Sequence, residues 1–382
     1  MALMTSFFDM TFPEQGRRTQ GCEFVLRYML KPPTRVEQET WGSQALLTLG
    51  VVHEDQRLLF EGRKRYGIAL LVFISHMNRT SDQALLVAAM TILNCELYTV
   101  LCNGLHAFSL HVQGVSRIIE GIRREGNTLA PGHLHQWRHR TLMYSLVQRC
   151  PVVNQEMWTM CSEAALANPR ADKLVSLALK LPGLLRTLHL ARIEPLQQSR
   201  VSTTTSRAQI MVLDRELGEW LCEFEKADKH AVSARDQGND CNDQQASSTS
   251  TMLSEDVGLL SHRDATFYGF YWICRLLCTQ ALLDASSVQN EARQLLASRA
   301  DQLAHLLLLV GPRLFETAGG RLNEMISVRA PLHFAIERFQ RAENDEMLDW
   351  CRIVETKYRA RLACFDWDAL LPSSLNPVHW LV

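Results

Sequence analysis

Apolar side chains recur along this chain at steps of three and four in one segment after another, the spacing of a helix that buries a single stripe. Residues 54–76 carry Leu58, Leu59, Tyr66, Ile68, Ala69, Leu71, Val72 and Phe73, with charges interleaved early, as one long helix would. Ser81 and Asp82 then suit the N-terminal end of a helix whose run from 84 to 93 is apolar nearly all round, which predicts burial on most sides. The next segment, H-A-F-S-L-H-V-Q-G-V-S-R-I-I-E-G-I-R-R-E, is amphipathic instead. Leu110, Val115, Ile118, Ile119 and Ile122 share its stripe, and Gly114 is placed to let another helix approach at its centre.

Further helices are predicted over 133–148, 172–180 and 206–226, the last with Ile210, Leu213, Leu217, Trp220, Leu221 and Phe224 in step. Pro151, Pro169 and Pro182 punctuate the connections between them. An aromatic-rich helix follows over 265–283. Over 287–310, Val288, Ala292, Leu295, Leu296, Leu303, Leu306, Leu307 and Val310 form one stripe. A closing pair spans 328–341 and 345–365, the second with Met347, Trp350, Cys351, Val354, Tyr358 and Leu362 at helical spacing. Strand alternation is nearly absent, and no exact repeat of twenty to fifty residues is found. The pattern predicts an all-α protein, a large irregular bundle or solenoid of antiparallel helices.

Composition divides this helical body. Pro32-Pro33 breaks the chain, and an N-terminal segment over 1–43 is read as partly irregular, with helical periodicity from about Gln44. Residues 44–230 form a first helical half and 255–382 a second, the two expected to share one continuous fold. Between them, A-V-S-A-R-D-Q-G-N-D-C-N-D-Q-Q-A-S-S-T-S-T-M-L-S (231–254) holds almost no large apolar residue and reads as a flexible linker.

At 382 residues and 47% hydrophobic composition the chain can bury one large core or two moderate ones. The 40 basic and 41 acidic residues leave a formal charge of −1, so no overall field draws nucleic acid or acidic membrane. The opening M-A-L-M-T-S-F-F-D-M does not read as a secretory leader, and the apolar runs at 68–74 and 306–310 are too short for a bilayer of about 30 Å. A soluble, intracellular protein is expected. Eleven cysteines, irregularly spaced, argue for reduced buried thiols rather than a disulfide framework.

The chain carries no G-x-G-x-x-G, no phosphate-cradling loop, no G-x-S-x-G and no H-E-x-x-H, so the nucleotide, hydrolase and common metalloprotease readings lack their anchor. No enzyme activity and no cofactor are expected. In G-H-L-H-Q-W-R-H-R, His135 and His139 lie one helical turn apart, a spacing that suits zinc. Arg138 and Arg140 would repel a cation there and nothing specifies further ligands, so the expectation is a wet helix start beside Trp137 and no metal site. Cys274 and Cys278, also one turn apart, are expected to be buried small hydrophobes, and no C-x-x-C occurs. The basic clusters Arg63-Lys64-Arg65, Arg123-Arg124 and Arg138-His139-Arg140 are read as solvated helix faces. Beside a regulator acting through protein contacts, the residues also leave open a helical scaffold or ligand-binding protein, or an enzyme with an interior pocket built from His106, His111, Glu96 or the His135/His139 pair.

Four segments, in order, resemble the helical regulatory region of fungal zinc-cluster transcription factors. S-D-Q-A-L-L-V-A-A-M-T-I-L-N-C-E-L-Y is similar to the family's helix of small and aliphatic residues ending in an acid and an aromatic. H-A-F-S-L-H-V-Q-G-V-S-R-I-I resembles the next, with His111 and Gly114 three apart before a hydrophobic pair. F-Y-G-F-Y-W-I-C-R-L-L resembles the aromatic-to-aliphatic helix of the second half, and R-A-P-L-H-F-A-I with D-E-M-L-D-W-C-R-I-V the closing pair. The likeness runs from about Gln44 to Phe365. It implies a nuclear regulator of transcription, in pathways of secondary metabolism or nutrient use, that works through protein partners such as a DNA-binding relative or a second copy, with room for a small-molecule effector. The family's six-cysteine DNA-binding module has no counterpart near the N-terminus, where Cys22 stands alone, so direct sequence-specific DNA binding is not expected.

Overall fold

Helix begins sooner than the periodicity indicates. Thr34, in extended backbone, accepts from the Glu37 amide, and the Glu37 carboxylate accepts from the Thr34 amide at 2.9 Å, a reciprocal capping box that opens α1 (Arg35–Val52). In this computed structural model the described residues are 34–77, 83–99, 104–126, 169–193, 197–236, 262–284, 290–317 and 322–361, with isolated positions between 137 and 149 and at 257 and 260. They comprise eleven α-helices and no strand, an all-α multi-helix bundle. After α1 come α2 (Gln56–Met77), α3 (Gln83–Thr99), α4 (Gly104–Arg124), α5 (Pro169–Ala178), α6 (Leu181–Ile193) and α7 (Gln197–Asp236). Four more complete the set: α8 (His262–Asp284), α9 (Asn290–Thr317), α10 (Leu322–Arg341) and α11 (Asp345–Arg361).

Two tight corners share one construction. The amides of Glu54 and Asp55 return to the carbonyls of Val51 and Gly50, and those of Glu343 and Asn344 to Gln340 and Phe339, closing the C-terminal ends of α1 and α10 in Schellman motifs. The left-handed position falls on glutamate both times, at φ 53° for Glu54 and 52° for Glu343. The next helix starts at once, because the Asp55 carboxylate accepts from the amides of Arg57 and Leu58, and the Asn344 side chain from that of Met347.

These corners turn the chain back on itself. Ser43 donates to the Gly62 carbonyl at 3.0 Å, while a Cβ on Gly42 would strike Arg65, one on Gly50 the Leu59 backbone, and one on Gly62 the Leu47 side chain at 2.8 Å. The pairings run in opposite senses, so α1 and α2 are antiparallel and in close contact. α3 packs on both and on α4. Every residue from 40 to 51 of α1 is buried, including Thr40, Ser43, Gln44 and Thr48; Thr40 is satisfied by bonding back to the Val36 carbonyl at 2.9 Å. As the apolar run predicts, α3 is buried from Ala84 to Leu93.

In the second group α7, 40 residues long, is the long member. It lies antiparallel to α8, with Asp214 against Arg275 and Phe224 against Phe267. α9 packs on α8 and α10, and α10 on α11. Gly269 of α8 stands where Val310 and Leu314 of α9 meet Pro331 of α10, the nearest atom 3.4 Å from a built Cβ. A single cluster of buried side chains runs through both groups. Residues 231–236, read as the start of a linker, continue α7; 237–254 lie outside the described residues.

Stripes read from periodicity hold in most places and fail in a few. Val115, Ile118, Ile119 and Ile122 are buried as expected, whereas Leu110, Leu295 and Trp350 are exposed. Gly114 is not a packing point among the described residues, none of which lies within 4 Å of a Cβ built there. α6 takes up residues that the pattern left unassigned. One stretch, Asp172–Ala191, is long and apolar enough for a membrane span by composition. Its backbone breaks at 179–180, where Pro182 has no amide to return to Ala178, and Leu174, Val175, Ala178, Leu179, Leu181 and Leu185 are in the core.

Candidate functional site

Three groups of charged side chains are enclosed between helices. The first centres on Asp214 of α7, whose carboxylate meets the Arg275 Nε of α8 at 2.6 Å and an Arg299 Nη2 of α9 at 2.9 Å. Arg275 donates in turn to the Tyr271 hydroxyl at 2.6 Å, and Gly218 leaves the room its guanidinium needs, with a built Cβ 3.2 Å from Nη1. Burial pushes the Asp214 carboxyl up, against the pull of the Arg275 charge. Burial, with Asp214 adding to it and Arg275 opposing, pushes the Tyr271 hydroxyl up to about 12. A tyrosine hydroxyl and a carboxylate held between two guanidiniums tie three helices together.

Aromatic rings continue the contact. Trp220 stacks on Phe224 at 5.1 Å and on Tyr271 at 5.7 Å, Phe224 meets Tyr268 edge-on, and the Trp220 indole donates to the Arg170 carbonyl of α5 at 2.9 Å. Cys274 and Cys278 are fully buried beside it. Burial pushes both thiols up, so they stay protonated and behave as small apolar groups, as their sequence context predicts.

In the second group Arg138 donates to Asp172 at 3.4 Å and to Ser176 at 3.2 Å. Arg138 and Trp137 are buried, which corrects the reading of this stretch as a solvated helix start: the guanidinium is drawn inside by a buried acid. In the third, Glu337 of α10 pairs with Arg149 and with Arg341 at 2.7 Å, Arg341 reaches Asp284 at 3.0 Å, and Arg338 reaches Asp301 at 2.8 Å. Burial alone would raise the Glu337 carboxyl, but Arg149, Arg341 and His333 together hold it below the usual range.

The candidate histidines are not assembled into a pocket among the described residues. His111 is half-buried on α4 with its Nε2 3.5 Å from the Tyr66 hydroxyl of α2, a helix-to-helix contact. His106 and Glu96 fall on α4 and α3 with side chains outside the described set, and His135 and His139 lie outside it altogether. No group of three or more His, Cys, Asp or Glu among the described residues is placed to hold a metal ion.

The unbalanced surface is on α2. Tyr66, Ala69 and Phe73 face α1 and α3, while the opposite side presents Phe60 at 70%, Leu71 at 71% and Ile74 at 56% exposure, with Ile68 and Met77 exposed at its two margins. Arg57, Arg63 and Lys64 flank the first half of this face. Arg65 leaves the basic cluster and turns to Glu39 of α1 at 3.0 Å. Such a contiguous apolar face on one helix is the usual mark of a contact surface. The pattern of residues 68–74 could have revealed it: seven consecutive apolar residues cover every side of a helix, and two neighbours on one side cannot bury them all. No protein-family model, no curated protein and no solved structure matches this chain.

Proposed function

We propose that this protein is a helical regulatory body that acts in the nucleus on transcription, through contacts with other protein chains rather than by catalysis. The observation that carries the reading is the exposed apolar face of α2, which among the described residues holds more exposed large apolar side chains than any other helix. The four colinear segments that resemble the regulatory region of zinc-cluster factors support it. So does the chemistry of the enclosed charges, whose partners are neighbouring helices. The test is to fuse the full chain to an unrelated DNA-binding domain in a fungal host with a reporter gene, and to follow a fluorescent fusion. A reporter output changed several-fold with nuclear fluorescence is expected. An indifferent reporter and fluorescence excluded from the nucleus would overturn the reading.

A further inference from the structure

Phe60, Gly67 and Ile74 recur at every seventh residue of α2, so they stand almost in line on its outer face, with Leu71 beside them. Gly67 is the unexpected member. A glycine inside a helix is unfavourable relative to alanine and is commonly kept where another backbone comes close. Among the described residues nothing does so here: no heavy atom lies within 4 Å of a Cβ built on Gly67, in contrast to Gly50 and Gly62 on the inner contact.

The arrangement is symmetric about that glycine. A second α2 laid antiparallel, with its own Gly67 at the crossing, would set Phe60 of each copy on Ile74 of the other and bring Leu71 onto the aliphatic stems of Arg63 and Lys64. Like cations would not meet, because each Arg63 would face Leu71 and stand about 12 Å along the axis from its twin at the helical rise. A formal charge of −1 offers no general repulsion between copies. At about 200 Å² for each large side chain, the exposed parts of Phe60, Leu71 and Ile74 would remove about 400 Å² per copy and about 800 Å² in all before the Arg63 and Lys64 stems are added, the size of a small, reversible contact.

We infer that the occupant of this face is a second copy of the same chain, joined through an antiparallel, two-fold α2 contact that crosses at Gly67. The inference rests on reading the protein as one that works through protein contacts. Light scattering on the purified full chain between about 1 and 100 μM is expected to show a species of twice 43.5 kDa. Leu71→Glu is expected to reduce it to one chain with unchanged helical circular dichroism. Because Cys222 is exposed, cross-linking is done in a Cys222→Ser background that carries no other change as its control. There Gly67→Cys should link to itself with a short bifunctional reagent, whereas Arg63→Cys should link only to Leu71→Cys in a mixed sample. A single-chain mass at the highest concentration, a dimer indifferent to Leu71→Glu, or Arg63→Cys linking to itself would overturn the proposal. The reporter assay is read separately. An active, monomeric wild-type chain removes the dimer and leaves the regulatory reading, while a dimer without reporter effect or nuclear fluorescence removes the regulatory reading alone.

Discussion

At the scale of single residues the same amino acid does opposite things in neighbouring helices. Gly50 and Gly62 permit close approach of α1 and α2, where an added Cβ would meet the Leu59 amide nitrogen or the Leu47 side chain at 2.8 Å. Gly114 permits no such contact, because among the described residues its surroundings are open. Alanine at Gly50 should therefore destabilise the protein by about 1–3 kcal/mol through forced separation of α1 and α2, and alanine at Gly114 should stabilise it by about 0.5–1 kcal/mol through helix propensity. Urea unfolding of the two variants checks both signs. The sequence alone favoured Gly114 as the contact point because it interrupts an evident stripe. Whether a glycine meets a neighbour depends on which side of the helix that neighbour occupies, and periodicity does not say. Arg138 was obscure for a related reason: its burial follows from Asp172, thirty-four positions away, and no local pattern announces a distant acid.

At the scale of elements, the interiors of helices were plain and their ends and outer faces less so. Apolar spacing located the bodies of α2, α3, α4, α7, α8, α9, α10 and α11, since the spacing comes from the packing itself. The first part of α1, before Gln44, was missed although T-R-V-E at 34–37 spells its capping box, because residues 40–51 are buried on all sides and leave no polar face to mark the period. Contacts between elements add a pH dependence that the sequence does not display. The Glu337 carboxyl, held down by Arg149, Arg341 and His333, favours its ionised form in the folded chain. Its contribution is therefore full above the unfolded glutamate value of about 4.3 and is lost as pH falls through the lower folded value. Glu337→Gln should cost about 2 kcal/mol at pH 7, where two guanidiniums lose a buried partner. The gap to wild type should narrow as unfolding is followed from pH 5 down to pH 2. A gap that stays constant with pH would show that the cations do not act on that carboxyl.

At the scale of the molecule, the all-α bundle was legible and the surface that matters was only half so. Of the α2 face, Ile68 and Leu71 were grouped with the buried Tyr66 and Phe73, because length and hydropathy cannot tell how many sides of a helix its neighbours cover. The enclosure of residues 40–51 of α1 has a consequence in time. Water reaches the backbone amides of residues 41–51 only when both α2 and α3 leave, so these protons should report the rarest opening the protein undergoes. Hydrogen–deuterium exchange read by mass spectrometry should find peptides from α1 labelled last, at a rate set by global unfolding. Peptides from α11, packed on α10 alone among its strong neighbours, should be labelled well before them. The first helix of the described chain would then be the last to let go.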